Sequence, residues 1–146
     1  MKIAITSDHA GHQLRKLIKE HLENKEIEIV DFGPTTDDSC DYPDFVHPLC
    51  KEINEFDYGV LICGSSNGVS MTANKYPNIR CAIAWNKDLA ELARKHNDAN
   101  CISLASRFIT TDMAKLIVDS FISTEFEGGR HERRVNKMTP DADVIK

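Results

Sequence analysis

Val60-Leu61-Ile62-Cys63-Gly64-Ser65-Ser66-Asn67-Gly68 runs from an apolar segment through a thiol into a short Gly/Ser loop and on into helical periodicity. An apolar run that ends at turn-forming residues reads as a buried strand. Four more β-rich apolar runs lie on either side, so the strands are predicted at Lys2 to Thr6, Ile27 to Asp31, Gly59 to Ile62, Cys81 to Ala84 and Cys101 to Ala105. Between them, Gly11 to Lys25, Pro43 to Phe56, Ser66 to Lys75, Lys87 to Lys95 and Asp112 to Ser123 carry apolar residues at three- and four-residue spacing, which predicts helices. In the first of these, Leu14, Leu17, Ile18, His21 and Leu22 are expected to form one face.

Strict alternation of strand and helix implies right-handed βαβ units and a parallel sheet covered on both sides. An eight-stranded barrel needs about 250 residues, and this chain has 146. The expectation is a three-layer αβα doubly wound, Rossmann-like domain, with a five-stranded parallel sheet and a C-terminal helix beginning near Gly128. One domain is expected to span residues 1–146, since no linker, repeat or low-complexity stretch interrupts the pattern.

Composition bounds the function. With 41% hydrophobic and 28% charged residues the chain is that of a folded domain. A net charge of -5 argues against nucleic acid as a partner. No run approaches the roughly 18 apolar residues of a membrane span, and Met1 to Asp8 lacks the pattern of a signal peptide. The cysteines at 40, 50, 63, 81 and 101 are odd in number and widely spaced, which suits reduced thiols in a cytoplasmic protein. Cys50, Cys81 and Cys101 read as packing or loop residues, and Cys40 sits in a loop that can approach a ligand.

In open parallel sheets ligands bind beyond the carboxyl ends of the strands. Here those positions hold Ser7-Asp8-His9, the loop with Asp41-Tyr42, Cys63 with its Gly/Ser loop, and Ser106-Arg107. A cysteine at a helix N-terminus can ionise below its free value of about 8.5 and act as a base; a buried thiol at an ordinary turn is the alternative. Asp8 either caps the helix near Gly11 or meets the ligand, and His9 offers an imidazole that transfers protons near neutrality. His96-Asn97-Asp98 ends a helix, where it can serve as a turn or supply acid–base chemistry. Arg130 and Arg134 stand four apart on one helical face and, with Arg107, suit a phosphate; a solvated basic helix is the plainer reading, and Arg133 and Lys137 fit it. The loop is neither a Walker motif nor a dinucleotide fingerprint. No Cys-x-x-Cys or His-Glu-x-x-His occurs, and the His and Cys positions are scattered, so no metal is expected at the site.

Taken in order, Ser7-Asp8-His9-Ala10-Gly11, Asp41-Tyr42-Pro43, Ile62 to Gly68, Ala73-Asn74-Lys75, His96-Asn97-Asp98, Ser106-Arg107 and Glu127-Gly128-Gly129-Arg130-His131-x-x-Arg134 resemble the type B ribose-5-phosphate isomerases over residues 2 to 138. The resemblance implies a pentose phosphate pathway enzyme without cofactor or metal, interconverting ribose 5-phosphate and ribulose 5-phosphate. It implies a homodimer, or a tetramer built from it, whose sites draw on both subunits. It assigns Cys63 as the base that moves a proton between C1 and C2 and His96 as the group that opens the ring. Asp8 and Asn97 bind the sugar, as do Asp41 and Tyr42. His9, Arg107, Arg130 and Arg134 surround the phosphate, and backbone N–H groups of Gly64, Ser65, Ser66, Asn67 and Gly68 stabilise the enediolate.

Some members of that family carry a glutamate in the glycine loop as the base. Here Gly68-Val69-Ser70-Met71 holds no carboxylate, which directs the role to Cys63. Ser66 departs from the family's usual glycine, and an ordinary helical conformation is expected for it. Two other readings are an isomerase of allose or galactose 6-phosphate and a non-catalytic sugar-phosphate sensor, which would need the arginines but not Cys63.

Overall fold

The computed structural model describes residues 1–140. Strands β1 (Lys2–Ser7), β2 (Glu28–Asp31), β3 (Tyr58–Cys63), β4 (Cys81–Ile83) and β5 (Cys101–Ala105) form one parallel sheet in the order β2-β1-β3-β5-β4. Around it stand α1 (His12–Glu23), α2 (Tyr42–Glu52), α3 (Asn67–Ala73), α4 (Lys87–Asn97), α5 (Thr111–Ser123) and the short α6 (Arg130–Val135). The register pairs Ser7 with Ile62 and Cys63 with Ala105, so the carboxyl ends of the three central strands finish level at one edge of the sheet.

Side chains alternate across the pleat, and both faces are apolar. Ile3, Ile5, Val60, Ile62, Ile102 and Leu104 face α1, α4 and α5, where Ile18, Leu22, Ile117 and Phe121 meet them with no exposure. Ala4, Leu61, Cys63 and Cys101 face the opposite way, onto Val46 and Leu49 of α2 and Val69 and Ala73 of α3. Burying an Ile or Leu contributes about 1.5–3 kcal/mol, so these two layers supply most of the stabilisation. They also explain why the central strands read as unbroken apolar runs.

The predicted elements are present with boundaries shifted by a few residues. The long helix expected from Pro43 to Phe56 closes at Glu52 and continues as a tighter 3-10 turn over Ile53–Glu55. The face expected of α1 needs correction: Leu17 is 41% exposed, while Arg15 is buried at 3%. Its guanidinium lies 3.1 Å from Asp31, donates to the Ser7 hydroxyl at 2.7 Å and to the Pro34 carbonyl at 2.6 Å. A cation so buried is tolerated only with such partners. It ties the ends of β1 and β2 to the start of the loop that leads to Asp41 and Tyr42. Among the described residues no helix is long and apolar enough to cross a membrane.

Candidate active site

Cys63 ends β3 at 4% exposure, and the chain then turns through Gly64, Ser65 and Ser66 into α3. The first turn of a helix leaves its N–H groups without intrahelical partners, so the backbone here presents donors beside the thiol. Ser66 has φ 69° and ψ -21°, in the left-handed region. The expected ordinary helical conformation is therefore wrong. A non-glycine residue pays about 1–3 kcal/mol there, and the side chain supplies an offset. The fully buried Ser66 hydroxyl donates to Ser103 Oγ at 2.7 Å, and Ser103 donates on to the Ala82 carbonyl at 3.4 Å. Glycine could adopt the turn but could not make that bond.

A cavity of about 360 Å³ opens above Cys63, lined by the expected Asp8, His9, Tyr42, Gly64, Ser65, Gly68 and Arg107. Asp8 is not the cap of α1, whose N-cap is Gly11; its Oδ1 accepts from the Gly11 N–H at 2.9 Å, closing the turn that leads into the helix, while its own N–H donates to the Ile62 carbonyl. The same carboxylate lines the cavity, where it can meet a ligand. His9 Nδ1 accepts from the Cys40 N–H at 3.3 Å. That bond places the proton of the neutral ring on Nε2, leaving a donor free for a ligand. Tyr42 packs so closely on Gly68 that a Cβ there would lie 2.7 Å from the ring. Arg107 lies across Gly64 in the same way, 3.1 Å from where a Cβ would stand. Both glycines are thus places where a site side chain rests on bare backbone.

Ser106 ties two residues of the cavity wall together, its hydroxyl 2.9 Å from the Ala10 carbonyl and 3.2 Å from that of Cys63. Phe108, 77% exposed, forms part of the wall and was not anticipated; an aromatic three residues past a strand carries no distinctive sequence signal. Asp41 sits exposed at the N-cap of α2, and Asn67 is exposed at the start of α3.

The remaining candidates lie elsewhere. His96 and Asn97 end α4, whose 11 residues run about 16 Å from the strand-end edge toward the opposite one. There they meet Arg130 and Arg134, because α6 packs on α4 and the Glu127 N–H donates to the Lys95 carbonyl at 3.1 Å. The His96 and His131 rings stack 4.1 Å apart at 9°, and Glu127 Oε2 lies 3.9 and 3.6 Å from their Nε2 atoms. Burial, then the charges of His96 and Arg130, hold the His131 pKa below its ordinary value. Sequence spacing gave no hint that these three residues would meet.

The arginines divide by their partners. Arg15, Arg80 and Arg94 are each committed to an aspartate. Among the described residues Arg107, Arg130, Arg133 and Arg134 have no ion pair. The thiols divide too. Burial pushes Cys50 and Cys81 up to about 12 and Cys101 well above the usual thiol range, as suits packing residues. A larger concavity of about 630 Å³ lies between Tyr76, Ile79, Asn97 and Met138. Its one thiol is Cys81, a group that stays protonated at neutral pH.

Residues 3–138 match the sequence profile described as Ribose/Galactose Isomerase. A probable ribose-5-phosphate isomerase B of Mycoplasma genitalium is 45% identical over 140 residues, covering 93% of this chain and 92% of that protein. The crystal structure of a ribose 5-phosphate isomerase from Thermotoga maritima superposes with a TM-score of 0.91 at 47% identity, covering 93% of this chain and 95% of that one. The Mycoplasma genitalium enzyme with bound ribulose-5-phosphate superposes with a TM-score of 0.89 at 44% identity, covering 93% and 92%.

Proposed function

This chain belongs to the ribose/galactose isomerase family, and from that membership we infer that it is an aldose–ketose isomerase interconverting D-ribose 5-phosphate and D-ribulose 5-phosphate in the cytoplasm. The observation that carries this reading is the cavity over Cys63, where one thiol, a set of backbone donors and an uncommitted arginine converge. Cys63 takes the proton from C2 of the opened sugar and returns it to C1 through an enediolate, while the O2 hydroxyl proton passes to O1, so that the C1 aldehyde becomes a hydroxyl and C2 the ketone. The N–H groups at 64 to 68 face the charge that develops on the substrate oxygen, an arrangement that removes part of the barrier without reorganisation. Asp8, Asp41 and Tyr42 hold the sugar hydroxyls, and His9 Nε2–H and Arg107 take the phosphate.

Ring opening and the rest of the phosphate clamp need His96, Asn97, Arg130 and Arg134, which this chain holds at the far end of α4. A rigid sheet and helix cannot bring that group to its own Cys63. We therefore propose a homodimer in which the partner's His96 and the partner's Arg130 complete each site. The uncommitted arginines on α6 favour this arrangement.

Turnover of ribose 5-phosphate, set beside allose and galactose 6-phosphates, tests the substrate. The pentose is expected to give the higher kcat/KM, and preference for either hexose would overturn the choice. Cys63→Ala should retain ligand binding and lose isomerisation, whereas a sensor would be indifferent to it.

A further inference from the structure

We propose that His96, Glu127 and His131 form a binding site for one divalent late transition metal ion of the Zn²⁺ class, and that its occupancy silences the enzyme by holding His96. The silencing rests on the ring-opening role proposed above; the binding does not.

The donor atoms lie close together, and one turn of a side chain closes the site: the stacked rings, 4.1 Å apart at 9°, aim their lone pairs side by side, so His96 has to swing out of the stack for both imidazoles to meet one ion. One ring nitrogen each of His96 and His131 and a Glu127 carboxylate oxygen lie within 4.8 Å of one another, with Glu127 Oε2 3.6 Å from His131 Nε2 and 3.9 Å from His96 Nε2. At zinc–ligand bonds of about 2.0–2.2 Å, two tetrahedral ligands stand about 3.4 Å apart. The two carboxylate separations are thus within about half an ångström of a closed site. Two of the groups can make up the difference, since the His96 and Glu127 side chains are 37% and 52% exposed, while His131 is fixed at 8%.

Backbone geometry produces the grouping. Gly128 and Gly129 both have positive φ, 66° and 56°, and nothing lies within 4 Å of a Cβ built on either. Space is not what excludes a side chain there; the left-handed conformation is. The double turn folds the chain back so that Glu127 meets His131 four residues on, while the Glu127 N–H is anchored to the Lys95 carbonyl beside His96.

The donor set chooses the ion. Two imidazoles and one carboxylate, with no thiolate, favour Zn²⁺, Co²⁺, Ni²⁺ or Cu²⁺ over Mg²⁺ and Ca²⁺, which take oxygen ligands. Arg130 and Arg134 on the same helix oppose any cation, so Glu127, the one anion of the trio, carries the electrostatic part of the binding. A bound ion would occupy the Nε2 of His96 and leave it unable to exchange a proton with a sugar.

Titration of the intact protein with Co²⁺, followed by visible d–d absorption, tests the site. One saturable equivalent is expected. Glu127→Gln and His131→Asn, each checked for native circular dichroism, are expected to weaken binding by at least about tenfold. Zn²⁺ is expected to inhibit turnover over the concentration range in which it displaces Co²⁺, with recovery on adding EDTA. Absence of saturable binding, binding unchanged in both variants, or a sulfur-to-cobalt charge-transfer band would overturn the site. Binding as expected without inhibition would overturn the silencing alone. Because the spectrum is read without substrate, a failure of the assigned reaction leaves this measurement standing.

Discussion

The Ser66–Ser103 pair decides whether the Cys63 loop keeps its shape, and two substitutions made singly and together measure it. Ser103→Ala strands the Ser66 O–H at a position with no solvent exposure. Leaving a buried donor unmade costs about 1–3 kcal/mol. Ser66→Ala is milder, about 1 kcal/mol, because the Ser103 hydroxyl still donates to the Ala82 carbonyl. The double variant strands nothing, so it should lie close to Ser66→Ala rather than at the sum, giving a coupling of about 1 kcal/mol or more. The assay is urea denaturation at one fixed protein concentration, comparing midpoints at constant slope. A coupling under about 0.3 kcal/mol would mean that the sites are independent and that the hydroxyl does not hold the left-handed turn. In the same series Ser66→Gly relieves the strained φ while losing the bond, so it should be no less stable than Ser66→Ala.

Mixing Cys63→Ala protein with an Arg130→Ala, Arg134→Ala double variant should restore turnover that neither shows alone, measured after subunit exchange; no recovery would leave each chain self-sufficient. Arg134→Ala by itself should raise KM for ribose 5-phosphate with a smaller effect on kcat, and an unchanged KM would remove it from the phosphate clamp. Alkylation followed by peptide mass spectrometry should leave Cys50, Cys81 and Cys101 unmodified until the protein is unfolded, because their thiols are buried and their pKa values raised. Arg15→Met should destabilise the fold by about 2 kcal/mol, read as a lowered melting temperature, since it breaks the bonds to Ser7 and Pro34 and leaves Asp31 only the longer pair with Lys19, at 3.9 Å.

Periodicity located all five strands and the helices between them, because a sheet covered on both faces demands apolar runs and each covering helix demands an apolar stripe. The strand-end rule then found Asp8, His9, Cys63 and Arg107, whose positions follow from topology alone. Arg15 escaped because a guanidinium in a helix reads as solvated until its partners on β1, β2 and the following loop are assembled around it. Ser66 escaped because its left-handed turn depends on a hydroxyl 37 residues away, on β5.

Alternating elements and the gathering of strand-end side chains at one cavity were thus legible in the chain, being consequences of local pattern and of the way parallel sheets are connected. What lay beyond them needed three dimensions. Only the packed structure set His96, Glu127 and His131 against one another, and only it parted them from Cys63 by the length of α4. Side chains distant in sequence become neighbours, or are kept apart, through the rigid helices and strands that carry them, and no spacing along the chain records that distance.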